Sequence, residues 1–261
     1  MGGNANDRVR LPQAFWRAAE RMGLPAPALL RQARLAATLH VMPEVWLSSA
    51  QYFALWRAAE TLSHDPAIGI AMTVGTDAAI FPPATMSAFF ARDYRDGLHR
   101  LARFKRLCTP EELTLTETGP ECRIAVRWLF LEEAEPDPIA DVTFAAILEL
   151  GRRGTGQPVR PLRVEMTRPG PVSEAHRRYF DAPIRTGCAQ NALVLRSGDL
   201  DLPFAGHNPD LLALLDPSLS AALGEIKAQS SLPEQVKILI KRRIASGKPE
   251  IGDVARELGL S

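Results

Sequence analysis

Before Pro110 the apolar residues recur at three- and four-residue intervals, and directly after it they recur at every second position. That change of period decides the fold class. A helix returns to the same face about every 3.6 residues and a strand every two. Leu98, Leu101, Phe104 and Leu107 make the last helical stripe of the first half. Then Leu113 and Leu115 alternate with Thr114 and Thr116, Gly119-Pro120 supplies a turn, and Ile124, Val126, Trp128 and Phe130 alternate with Arg123, Ala125, Arg127 and Leu129. Two alternating runs joined by a glycine-proline turn predict a β-hairpin.

Around this pivot the remaining segments read as an α+β chain: a mainly helical N-terminal half, then a small mixed β-sheet packed with helices. Pro12 to Met22 and Pro27 to Arg34 are short helices, and Ser48 or Ser49 caps a longer one carrying Tyr52, Phe53, Leu55, Trp56 and Leu62. Asp65-Pro66 opens another helix running to Gly75, and Thr85 to Ala91 and Tyr94 to Leu107 continue the pattern. The arginines around the last of these read as a solvated face with ion pairs to Asp93 and Asp96. Beyond the hairpin, Pro138 to Arg152 and Glu174 to Phe180 are helices, and Leu162 to Met166, Pro183 to Thr186 and Ala192 to Arg196 are strands. Pro209 to Gln229 is a final helix that Pro217 should kink or split.

With 261 residues, 46% of them hydrophobic, the chain has enough apolar material for a substantial core. A net charge of +1 gives no global attraction to polyanions, so any affinity for nucleic acid must be local. Cys108, Cys122 and Cys188 are odd in number and widely spaced, as suits reduced thiols. The polar start and the absence of a long uncharged run predict a soluble cytoplasmic protein with no membrane partner.

At the C-terminus, Leu232 to Ser246 is an amphipathic helix with Leu232, Val236, Leu239, Ile240 and Ile244 on one face. Ile251, Val254, Ala255 and Leu258 then form a second stripe, followed by the turn glycine Gly259, by Leu260, and by Ser261 as a cap. Two readings fit: the first half of a helix-turn-helix, or an ordinary helix ending on a glycine. Six Lys or Arg against four Asp or Glu leave residues 232–261 at +2, too small an excess to decide between them. The run closing on Leu-Gly-Leu-Ser resembles the opening of the DNA-binding domain of AraC-type transcriptional regulators. The resemblance implies a partial all-α helix-turn-helix domain at 232–261 whose recognition helix is absent. DNA is then a partner of the full-length regulator, not a specific partner of these residues alone.

Residues from about Leu11 to Gln229 resemble the N-terminal arabinose-binding sensor domain of one branch of the same regulators. The resemblance rests on Asp65-Pro66-Ala67-Ile68-Gly69, Thr85-Met86-Ser87 with Leu98 through Leu107, Pro161-Leu162-Arg163-Val164, Tyr179-Phe180, Asn191-Ala192-Leu193-Val194 and Asp199 through Pro203, taken in order. Asp181 departs from it, standing where the family often has glycine. The resemblance implies a ligand-sensing domain at 1–229, a small-molecule effector and a possible homodimer, with the helical segments of 209–229 as its surface.

No GxSxG, GxGxxG, Walker or HExxH motif is present, and the five histidines do not pair at ligand spacing, so neither an enzyme, a metal site nor a cofactor is expected. Glu132, Glu133, Glu135 and Asp137 read as solvating a turn at a helix N-terminus. A sensor needs a mostly apolar cavity with a few polar anchors. Trp128, Phe130, Phe144 and Leu148 are the candidate wall, if the second hairpin strand packs on the following helix, and Arg127 is the candidate anchor for an acidic ligand. The expected function is a transcription regulator controlled by a small-molecule effector. The alternatives are a stand-alone small-molecule-binding or dimerisation protein, and an enzyme whose site is assembled from distant residues.

Overall fold

The computed structural model describes residues 6–75, 82–130, 133–229, 236–237, 239–240, 243–244 and 250–258. A short ribbon and four helices come first: β1 (Val9–Leu11), α1 (Gln13–Arg21), α2 (Ala26–Gln32), β2 (Val45–Leu47), α3 (Ser49–Ser63) and α4 (Ile68–Thr73). Helices α5 (Pro83–Phe89) and α6 (Tyr94–Phe104) lead through a 3₁₀ turn at Lys105–Leu107 into the hairpin, β3 (Glu111–Thr118) and β4 (Glu121–Trp128). Then follow α7 (Asp137–Thr155), β5 (Arg163–Glu165), α8 (Glu174–Phe180), β6 (Ile184–Arg185), β7 (Ala192–Arg196), α9 (Pro209–Gln229) and α10 (Ile251–Glu257).

The expected mixed sheet is present, with strand order β3-β4-β7-β5-β6. Only β5 and β6 run parallel; the other pairings are antiparallel. The hairpin register sets Glu111 opposite Trp128 and Leu113 opposite Val126. The ribbon of β1 and β2 was not expected, because each strand is three residues long, too short to show a period.

Three buried apolar clusters make the core. The first joins α1 to α3 and reaches Trp128 and Ile139. The second lies against the sheet and holds Phe144, Ile147, Leu148, Phe180 and Leu193, all fully buried. Helix α7 contributes to both, which explains why it is apolar on more than one face. A third, smaller cluster sets Leu219 and Leu223 of α9 against Ala84 and Phe104.

Local chemistry fixes the element ends. Ser48 is the cap of α3: its hydroxyl accepts from Gln51 N at 3.2 Å while the Gln51 side chain accepts from Ser48 N at 2.9 Å. Gly69 lets α4 cross α7 closely, since a Cβ there would stand 2.2 Å from the Pro138 carbonyl oxygen. Asp181 ends α8 at φ +47, a left-handed conformation that glycine adopts freely and Asp tolerates.

Three expectations change. Helix α9 runs unbroken through Pro217, so of the two expected outcomes the split does not occur; having no N–H, Pro217 cannot donate to the Ala213 carbonyl. Helix α4 begins at Ile68 after a turn in which Asp65 Oδ1 accepts from Ala67 N, instead of starting on Pro66. In α10, Val254 is buried but Ile251 is 88% exposed, so the predicted stripe is shorter by a turn. Leu232, Ser246, Gly259, Leu260 and Ser261 lie outside the described residues.

Candidate functional site

The first and second clusters meet at a seam that carries buried ionisable groups. The 3₁₀ turn after α6 presents Lys105, whose Nζ lies 2.6 Å from Glu111 Oε2. Thr109 Oγ1 donates to the same carboxylate oxygen at 2.9 Å. Glu111 is only 2% exposed because it opens β3 on the face that also carries Leu113, two residues on. Burial works against the Lys105 ammonium, but the charge and hydrogen bond of Glu111 outweigh it and hold the group above its ordinary value.

Across the hairpin from Glu111, Trp128 packs edge-on to Phe53 at 4.8 Å and tilted to Tyr52 at 5.9 Å. Its Nε1 donates to Glu135 Oε2 at 2.9 Å, and Asn191 Nδ2 donates to Glu135 Oε1 at 2.6 Å. Asn191 is itself fixed, since its Oδ1 accepts from Thr167 N at 2.8 Å. Burial, helped by the Glu111 charge, raises the Glu135 carboxyl from 4.5 to about 7 against the pull of these two donors. Near neutral pH Glu135 is therefore poised to change charge, and in its protonated form it gains a donor.

Tyr52 on α3 completes this seam. Burial, then the Glu111 charge, pushes its phenol well above the ordinary value, so it stays a neutral hydroxyl. Burial also raises the Cys108 thiol, against the Lys105 charge. The Trp56 indole, its ring 6.2 Å from that of Tyr52, acts on the phenol as a donor that partly offsets the rise, while elsewhere in the first cluster the Trp16 indole nitrogen is buried without a hydrogen-bond partner. Buried orphan donors are uncommon, and a ligand is one way of satisfying them. The assembly offers neutral donors, one compensated ion pair and one titratable carboxyl, a set suited to binding a polar small molecule. Among the described residues no group of three or more His, Cys, Asp or Glu is arranged to hold a metal.

The residues singled out in the sequence are dispersed. Trp128 reaches the seam, but Phe144 and Leu148 are solid core of the second cluster, with Phe144 edge-on to Phe180 at 6.4 Å. Phe130 is half-buried just past the end of β4. Arg127 has the opposite parity to Trp128, so its Nη2 reaches across the strands to Glu112 at 2.7 Å instead of entering a cavity. Of the acidic group, Glu133 pairs with Arg57 at 2.8 Å as a surface residue would, whereas Glu135 is drawn inward.

A second buried network ties α7 to α8. Arg168 Nη2 donates to Asp141 Oδ1 at 2.7 Å and to the Asp137 carbonyl at 2.9 Å. His176 Nε2 lies 3.0 Å from Asp141 Oδ2, and its Nδ1 lies 2.7 Å from Ser173 Oγ. Asp141 is fully buried and His176 is 1% exposed. Its members satisfy one another, which marks it as structural.

Residues 23–204 match the family model described as the N-terminal arabinose-binding domain of AraC transcription regulator. No curated protein matches. Among solved structures, the chain is similar to the transcriptional regulator CdpR from Pseudomonas aeruginosa, with a TM-score of 0.58 and 14% identity, covering 95% of this chain and 76% of that one. At that identity the likeness concerns the fold.

Proposed function

Because the chain belongs to the family of AraC transcription regulators with an N-terminal arabinose-binding domain, we propose that residues 1–229 sense a small-molecule effector and that residues 232–261 begin a helix-turn-helix DNA reader. The observation that carries the sensing half is the seam of Tyr52, Lys105, Glu111, Trp128 and Glu135, where a neutral phenol, a buried ion pair and a carboxyl that titrates near neutrality meet. Of the wall expected from sequence, Trp128 keeps its place in this reading. Support for the reader comes from Arg243, whose Nη1 donates to Asp253 at 2.9 Å and whose Nη2 donates to Glu257 at 3.1 Å. These bonds join the helical residues before 250 to α10, as two helices meeting at a turn would be joined. Among the described residues no helix is long and apolar enough to cross a membrane.

Effector and DNA then act on each other reciprocally: each favours one arrangement of sensor and reader, and by linkage each changes the affinity for the other. The test is a metabolite screen by thermal shift on this chain. Hits are retested on Tyr52→Phe and Glu135→Gln, and then for their effect on promoter affinity in the regulator with its complete reader. Binding that weakens in both variants and changes promoter affinity supports the reading. A bound metabolite indifferent to both substitutions, or without effect on promoter affinity, overturns it.

A further inference from the structure

A cavity of about 680 Å³ opens where α6 and β3 face α9, and Leu239, Glu257 and Leu258 of the C-terminal segment form its third wall. We propose that this junction is a second binding site, for a small organic anion with an apolar body, held by Arg106. The site goes beyond the effector reading: Glu111 is the only residue it shares with the seam around Tyr52 and Glu135.

The charge balance of the lining points to an anion. Six charged side chains line the cavity, three acidic and three basic, so a formal count predicts neutrality. Each carboxylate, however, is engaged by a cation outside the lining: Glu111 by Lys105 at 2.6 Å, Glu112 by Arg127 at 2.7 Å, and Glu257 by Arg243 at 3.1 Å. What remains directed at the cavity is positive. Arg103 makes one hydrogen bond, to Ser220 Oγ at 3.0 Å, and its guanidinium lies 4.9 Å from the Phe104 ring centroid. Lys227 is exposed at the rim.

Arg106 is the anchor. Its Nη2 is buried and has no hydrogen-bond partner, although it belongs to a group that keeps its charge at any ordinary pH. Burial lowers its affinity for the proton, partly offset by the Glu112 charge. A guanidinium donor removed from water and left open is costly, and a bound carboxylate supplies the acceptor that fits its planar fork. The walls suit an apolar body. Leu113, Leu129 and Leu223 contribute from the sensor side, each less than a tenth exposed, and Leu239 and Leu258 come from the C-terminal segment. A ligand here touches both parts of the chain at once, so its binding also pins α10 against the sensor.

The experiment titrates the whole chain with phenylacetate and octanoate, and with their neutral amides, by calorimetry, and follows hydrogen exchange in residues 251–258. Expected are saturable binding of at least one carboxylate, weaker binding of its amide, and slower exchange in 251–258 on saturation. Arg106→Gln should weaken binding about ten- to hundred-fold, the loss of charge-assisted hydrogen bonds. It should leave the unliganded melting temperature unchanged or raised, because a buried guanidinium donor without a hydrogen-bond partner is removed. Lys227→Gln, at an exposed position where folding is not at risk, should weaken binding less and reduce its salt dependence. Glu135→Gln should leave this binding unchanged, which separates it from the effector reading. The proposal is overturned if neither carboxylate binds, if acid and amide bind alike, or if the Arg106 variant folds and binds as the wild type does.

Discussion

Replacing Glu135 by Gln should remove a pH-dependent loss of stability that the wild type shows between about pH 4.5 and 7. In the unfolded chain this carboxyl releases its proton near 4.5, and in the folded protein it holds it to about 7. Across that window the native state binds more protons than the unfolded state, so unfolding free energy falls as pH rises. The sign is that of a buried acid with a raised pKa: the neutral form is favoured in the fold, and the penalty of charging it is complete above about pH 7. A shift of this size corresponds to about 3 kcal/mol at full effect. Gln mimics the protonated acid, keeping one carbonyl acceptor for Trp128 or Asn191 and carrying no charge. Urea denaturation of both proteins at pH 5 and pH 8 provides the measurement. Other shifted carboxyls, such as Glu60 and Asp137, are common to both proteins and cancel in the comparison. Relative to the variant, the wild type should lose about 2 to 3 kcal/mol between the two pH values. Parallel behaviour of the two proteins, within about 0.5 kcal/mol, would refute the claim that the seam holds Glu135 neutral.

Four further outcomes are expected. Gly69→Ala forces a methyl against the Pro138 backbone at the α4–α7 crossing, and calorimetry should show destabilisation of about 3 kcal/mol or more. Asp141→Ala strips the partner from buried Arg168 and should cost about 3 to 5 kcal/mol by chemical denaturation, with only partial recovery in Asp141→Asn. Ser48→Ala removes the cap of α3 and should cost about 1 kcal/mol in the same assay. In the native protein at pH 8, iodoacetamide followed by mass spectrometry should modify half-exposed Cys188 and spare Cys122, which is fully buried and whose thiol burial pushes up to about 11; Cys122 should react only on unfolding.

What was legible in the sequence was whatever local period and capping chemistry determine. The hairpin at Gly119-Pro120, the helix at Glu174–Phe180 and the strand at Ala192–Arg196 were read with their bounds or nearly so, because alternating or helical spacing and turn residues agree there. The ion pairs of Arg92 with Asp93 and Arg100 with Asp96 were legible for the same reason: their partners are one and four residues away. The site was far less so. Lys105, Glu111 and Glu135 have no short-range signature, and their meeting with Tyr52 depends on how the hairpin docks on α3. One signal for it is local: alternation puts Glu111 on the same face as Leu113, and a carboxylate at an inward position demands a partner. The same parity argument would have turned Arg127 away from Trp128.

The location of the buried charges follows from how the core is divided. Lys105 follows directly on Phe104 of the third cluster, Glu111 precedes Leu113 of the second, and Trp128 belongs to the first, so the Lys105–Glu111 pair stands where all three converge. Within any one cluster a charge would find only hydrocarbon and would be expelled or neutralised. At a junction the backbone turns, polar side chains come within reach of each other, and an ion pair costs least to keep. Such a point is also where a bound molecule has most leverage, because displacing Glu111 disturbs the lining of the cavity that α10 helps to close. A perturbation of the same size inside the second cluster, at Phe144 for instance, would change stability without reaching the C-terminal segment. Comparing hydrogen exchange of residues 251–258 in Glu111→Gln and Phe144→Leu tests this: faster exchange is expected in the first alone, and equal effects would show that the segment responds to global stability and not to the junction.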